Sequence, residues 1–91
     1  MNLNVELFGV ARQLAGTAGC AVSVGDGATY RDVLAELANR YPRLVGPVIV
    51  PETHDLETDL RLVVDGLREV ADLDAAPQEG QRLLLMFTDV G

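Results

Sequence analysis

Leu3, Val5 and Leu7 alternate with Asn2, Asn4 and Glu6, the period of two that marks a strand with one face buried. Phe8 and Val10 carry the apolar series past Gly9 at its end. The stretch Ala11-Arg12-Gln13-Leu14-Ala15-Gly16 is helix-prone but short, and Gly16 can close a single turn. Cys20, Val22 and Val24 alternate again, giving a second strand that pairs most simply antiparallel with the first. Past the turn Gly25-Asp26-Gly27, Thr29 offers an N-cap hydroxyl, with Asp32 three residues on as the capping-box acid. Tyr30, Val33, Leu34, Leu37, Ala38 and Tyr41 then recur at helical spacing and form one apolar stripe. Pro42 disfavours a helical Tyr41 and ends the helix there.

Residues 43–59 contain two prolines, a glycine and the polar group Glu52-Thr53-His54-Asp55, the pattern of a long surface loop with Val48-Ile49-Val50 as a short extended piece. Two apolar segments, Leu60 to Val64 and Leu67 to Val70, flank Asp65-Gly66. That pair is a hairpin signal, because a type I′ turn wants positive φ at both central residues. Pro77-Gln78-Glu79-Gly80 makes another turn and launches a final strand. Its five successive apolar residues, Leu83 to Phe87, are too few for a typical helix. The order strand, strand, helix, hairpin, strand predicts one α+β domain over residues 1–91, with a four- to five-stranded sheet covered on one face by one main helix. The other face must meet water or a partner.

The final strand runs straight into Thr88-Asp89-Val90-Gly91, leaving a carboxylate on a residue with no side chain. A core strand that ends at once in a small terminus points to the terminus as the working part.

Ninety-one residues fit one small core, and 48% hydrophobic with 23% charged residues is the balance of a globular chain. Apolar runs of about five residues are too short to span a membrane. The N-terminus has neither the basic nor the apolar segment of a secretory signal. A single cysteine, Cys20, fits a reducing compartment, so the expected location is the cytoplasm. Charge changes the picture more. Residues 1–45 balance four acids with four arginines, whereas residues 46–91 hold ten acids against three arginines and carry the whole net charge of −7. Such an acidic half disfavours nucleic acid and suits a partner with a basic docking surface, or serves solubility alone.

Few residues offer catalytic chemistry. His54, the one histidine, has no ligand or base partner nearby in sequence and reads as a solvated loop residue. Cys20 alternates with Val22 and Val24 and reads as core packing. No phosphate-binding glycine motif is present. Asp55, Glu57 and Asp59 alternate as calcium ligands can, yet lack the glycine and glutamate of an EF-hand loop, and read as a solvated acidic face. Without a visible nucleophile–base pair, the chain is expected not to be an enzyme acting alone and to bind no cofactor or metal.

Several blocks together resemble the MoaD/ThiS-like, ubiquitin-related sulfur carriers, which include the small subunit of molybdopterin synthase. They are Leu7-Phe8-Gly9 with Ala11-Arg12-Gln13-Leu14-Ala15-Gly16, Gly27-Ala28-Thr29 opening a helix that ends Arg40-Tyr41-Pro42-Arg43-Leu44, and the turn Val63-Val64-Asp65-Gly66. The resemblance implies a β-grasp fold with a mixed sheet. It also implies an activity: an E1-like adenylyltransferase uses ATP to adenylate the terminal glycine, a sulfur donor replaces AMP, and the thiocarboxylate tail enters the large subunit of molybdopterin synthase. Related carriers serve thiamine or cysteine biosynthesis. Carried over, Gly91 is the reacting residue, conditional on its being the native terminus; Phe87, Thr88, Asp89 and Val90 are the expected partner-binding segment, with Phe87 either an apolar anchor or a core residue according to the parity of the last strand. The family ends in Gly-Gly after a proline-containing segment, whereas Thr88-Asp89-Val90-Gly91 has one glycine and no proline. That departure keeps open a second reading, a non-catalytic β-grasp interaction domain.

Overall fold

The computed structural model describes residues 1–87. The chain forms β1 (Asn2–Leu7), α1 (Gly9–Ala15), β2 (Gly19–Ser23), α2 (Tyr30–Arg40), a 3₁₀ turn (Pro42–Leu44), β3 (Leu60–Val64), β4 (Arg68–Glu69) and β5 (Arg82–Phe87). The five strands make one mixed sheet in the order β2-β1-β5-β3-β4. The last strand therefore lies at the centre, parallel to β1 and antiparallel to β3. This is the β-grasp fold expected from the sequence.

The alternation in β1 sends Leu3, Val5 and Leu7 inward, where Val22, Leu62, Leu83 and Leu85 join them from neighbouring strands. Across from them the stripe of α2 buries Val33, Leu34 and Leu37 completely. Removing a Leu or Val of this size from water contributes about 1.5–3 kcal/mol each, so the helix and the sheet hold each other. The entry to α2 is fixed as predicted. Thr29 Oγ1 accepts from the Asp32 amide at 3.2 Å, and Asp32 Oδ2 accepts from the Thr29 amide at 2.8 Å. At the far end Tyr41 leaves helical geometry one residue before Pro42.

Three local readings change. The segment 43–59 is not a surface loop, because Leu44, Val48 and Ile49 are fully buried. The 3₁₀ turn packs against both α1 and α2, and Ile49 bridges Val45 on one side and Leu56 on the other. Prolines at 42, 47 and 51 break any fixed period, so these inward residues leave no repeating signal in the sequence. Second, α1 starts at Gly9, and Val10 belongs to the helix instead of prolonging β1. Third, the hairpin keeps the expected backbone, with φ of 53° at Asp65 and 74° at Gly66, and the Leu67 amide donates to Val64 O at 2.9 Å. Its ladder, however, pairs Val64 with Arg68, so Leu67 is left over and points into solvent at 90% exposure. The strand read from Leu67 to Val70 shrinks accordingly to Arg68 and Glu69.

Two polar ties fasten the connections to this frame. Gln81, buried at the start of β5, accepts through Oε1 from the Tyr30 hydroxyl at 3.0 Å and from the Gln78 amide at 2.8 Å. Arg31, one residue into α2, pairs with Asp55 and with Asp74 and donates to Thr53 O at 2.9 Å. One side chain thus draws two long connections onto the N-terminal end of the helix.

Candidate functional site: the end of the central strand

The candidate site is where β5 leaves the sheet. Leu83 and Leu85 are buried on the helix-covered face. The period of two puts Phe87 on that same face, directly opposite Leu60 of β3. Yet Phe87 is 46% exposed. It sits at the rim of the core, where Gly9 opens α1. Gly9 has a φ of 57°, which favours a residue lacking Cβ, and a methyl group added there would lie 3.3 Å from Phe87 Cδ2, a tight contact that the ring would have to yield to. The ring is backed by the chain on one side and open on the other. Phe87 is therefore neither a plain core residue nor part of the uncovered sheet face; it shares the parity of the core and the accessibility of the surface.

On the open side lies a cavity of about 340 Å³, walled by Gly46, Pro47, Glu57, Thr58 and Asp59 together with Phe87. Its wall is held by backbone bonds. The Glu57 amide donates to Val48 O at 2.9 Å, the Leu60 amide to Glu57 O at 3.0 Å and the Gly46 amide to Ile49 O at 2.8 Å. Sequence reasoning read Glu57 and Asp59 only as part of a solvated acidic face and missed Gly46, Pro47 and Thr58, because the wall converges from two segments that carry no common motif.

The sheet's uncovered face offers a second surface. Leu84, Met86 and Val63 are half-buried there, and the register aligns Leu84 with Glu6 on β1 and with Val63 on β3. Continuing β1 by one residue brings Phe8, also exposed, beside Met86; its amide donates to Leu85 O at 3.1 Å. Ion pairs flank this apolar band, Arg82 with Glu6 at 3.0 Å and Arg61 with Glu69 at 3.7 Å.

The remaining candidates take up structural places. His54 lies half-buried in a turn at φ 58°, and its amide donates to Val50 O. Cys20 is half-buried and packs against the core. The neighbouring Cys20 thiol is the largest influence raising the Tyr41 phenol above its ordinary pKa, with burial next. Asp55 is no member of a free acidic face, because Arg31 claims it. That guanidinium holds the Asp55 and Asp74 carboxyls below the usual carboxylate range, and the two acids in turn raise Arg31, Asp74 first. Among the described residues, no three His, Cys, Asp or Glu side chains are gathered to hold a metal ion, and no helix is long and apolar enough to cross a membrane. Thr88, Asp89, Val90 and Gly91 lie outside the described residues.

No protein-family model and no curated protein matches the chain. Solved structures do. Small archaeal modifier protein 1 of Haloferax volcanii is 27% identical, with 92% of this chain and 93% of that one covered and a TM-score of 0.79. A molybdopterin converting factor subunit 1 from Pyrococcus furiosus is 25% identical, with 96% and 97% covered, also at a TM-score of 0.79. The neighbours are MoaD/ThiS-like, ubiquitin-related sulfur carriers. The likeness extends in fold alone to the Amycolatopsis orientalis BexX/CysO complex, at 18% identity, 98% of each chain covered and a TM-score of 0.71. In all three the shared length is nearly the whole chain, so the resemblance rests on the complete β-grasp and not on one motif.

Proposed function

We propose that this chain is a sulfur carrier that works through a C-terminal glycine carboxylate, that of Gly91 where Gly91 is the native terminus. An E1-like adenylyltransferase joins that carboxylate to AMP, with pyrophosphate leaving from ATP. Hydrosulfide, or a donor equivalent to it, then displaces AMP and leaves a thiocarboxylate. The large subunit of molybdopterin synthase receives the charged tail, which gives the sulfur to a pterin precursor. The observation that carries the reading is the likeness, over more than nine-tenths of the chain, to carriers of this type, one of them a molybdopterin converting factor subunit.

The chain's own part is positioning. β5 is hydrogen-bonded along both edges and anchored by Leu83 and Leu85, so a partner can grip the end of the strand without drawing it from the core. Phe87 and the band of Phe8, Leu84 and Met86 are apolar surfaces for such a partner, the kind of anchor that carries most of an interface's energy. A larger enzyme partner is in keeping with the BexX/CysO neighbour, which was solved as a complex.

The test is direct. The full chain is incubated with an E1-like enzyme, ATP and sulfide, and its intact mass is taken. Exchange of one oxygen for sulfur at the C-terminus, with AMP released, is the expected result, and a chain lacking Val90 and Gly91 should stay folded and unchanged in mass. Absence of both exchange and AMP would leave the second reading, an interaction domain without carrier chemistry. Thiamine and cysteine carriers share the first half of the chemistry, so the acceptor is assigned by supplying charged carrier to each receiving enzyme and following sulfur into product.

A further inference from the structure

The cavity beside Phe87 combines three properties that together define an occupant. It presents a half-exposed aromatic ring, it is walled by two carboxylate-bearing residues, Glu57 and Asp59, and Gly46 and Pro47 complete its lining with Thr58. Among the described residues the ion pairs of Arg31, Arg40 and Arg82 go to Asp55, Asp74, Glu36 and Glu6, and not to Glu57 or Asp59. Among the described residues the two acids of this wall take part in no ion pair seen here, and they suit a cation from outside.

We infer that the cavity receives an arginine side chain of the protein that takes the tail. A guanidinium is planar, stacks on an aromatic face and donates in a fork that matches carboxylates, where a lysine ammonium is a strongly hydrated point charge. Charge points the same way on a larger scale, since residues 46–91 carry the whole net charge of −7 and would steer a basic surface toward this end of the molecule. The partner's identity as a tail-receiving enzyme rests on the carrier reading; the arginine specificity of the cavity rests on the wall alone. The cavity adjoins the final residue of β5, so an arginine seated there would fix where the tail enters the partner.

The experiment needs no enzyme. The full chain, labelled with nitrogen-15, is titrated with Nα-acetyl-arginine methylamide, and in parallel with the lysine and citrulline analogues, following backbone amides by NMR. Saturable shifts concentrated at Gly46, Glu57, Asp59, Leu60 and Phe87 are expected with arginine, weaker ones with lysine and none with the neutral citrulline. The double variant Glu57→Gln/Asp59→Asn is expected to bind arginine about tenfold more weakly, as loss of charge-assisted hydrogen bonds implies. Phe87→Leu, which keeps apolar bulk without a π face, should lose the preference for arginine over lysine. Equal shifts with citrulline, shifts spread over all the acidic loops, or binding unchanged in the variants would overturn the proposal. Binding that arises only after residues 88–91 are removed would assign the cavity to the chain's own tail and overturn it equally. Failure of the mass experiment above, with arginine still bound here, would instead sink the carrier reading and leave the cavity's specificity standing.

Discussion

The Tyr30 hydroxyl, at the first turn of α2, donates to Gln81 Oε1 at 3.0 Å across 51 positions of chain. Both groups are buried, and the same Gln81 oxygen also accepts the Gln78 amide. One carboxamide thereby registers the start of β5 against the start of the helix. Tyr30→Phe removes one donor and leaves the other, so no buried acceptor is orphaned. A loss of about 1 kcal/mol is expected, seen as a lower urea midpoint at unchanged slope. Gln81→Leu should cost more, because the Tyr30 hydroxyl and the Gln78 amide both lose their acceptor.

The Arg31 clamp should make folding acid-sensitive. The carboxyls of Asp55 and Asp74 are held below their ordinary range by the guanidinium, so each binds protons less readily folded than unfolded. Their contribution is complete above the ordinary carboxylate value of about 4 and is lost as pH falls through the lower folded values. Thermal midpoints measured from pH 7 downward should therefore drop below about pH 4, and Arg31→Gln should flatten that part of the curve. An unchanged acid limb in the variant would show that these pairs contribute nothing to it. All three side chains are partly exposed, so the effect should also shrink in high salt.

Gly9 and Phe87 should couple. Gly9→Ala places a side chain at a φ of 57° and a Cβ 3.3 Å from the Phe87 ring. The backbone term alone is about 1–2 kcal/mol. In a Phe87→Ala background the ring clash disappears and only the backbone term remains, so the double-mutant cycle should show a non-zero coupling energy by chemical denaturation.

Phe87→Ala tests how far the ring belongs to the core. A fully buried phenylalanine costs about 3–5 kcal/mol on truncation and this ring is 46% exposed, so roughly half that loss is expected. Leu85→Ala, on a residue with no exposure, should cost about 2–5 kcal/mol. If the two variants are equally destabilised, Phe87 is a core residue and its role as a partner anchor falls.

The elements with a local period were legible in the sequence. The alternation at Leu3, Val5 and Leu7, the stripe from Tyr30 to Tyr41 with its Thr29 cap, and the Asp65-Gly66 turn all appear in the structure where they were expected. Positions fixed only by long-range packing were not. Leu44, Val48 and Ile49 are inside because a proline-broken segment folds back over the end of the sandwich, and nothing periodic announces that. Arg31 finds partners 24 and 43 residues away, a pairing that no helix pattern encodes. Phe87 was ambiguous for a physical reason: parity assigns it to the core face, while exposure depends on where the cover ends. Glu57 and Asp59 read as solvated acids until the fold placed them beside that ring.

The position of β5 has a mechanical side. A strand added last in sequence is usually expected at an edge, where pulling its end peels hydrogen bonds away one at a time. Here the last strand is enclosed, with β1 running parallel on one flank and β3 antiparallel on the other. Tension applied along the chain at Phe87 therefore loads two ladders together, that with β1 over Asn4–Leu7 and that with β3 over Leu60–Val64. A partner that hauls on the terminus meets a fixed anchorage and not a zipper, so force delivered at the tail is spent on moving the two proteins together before it can begin to unravel this one.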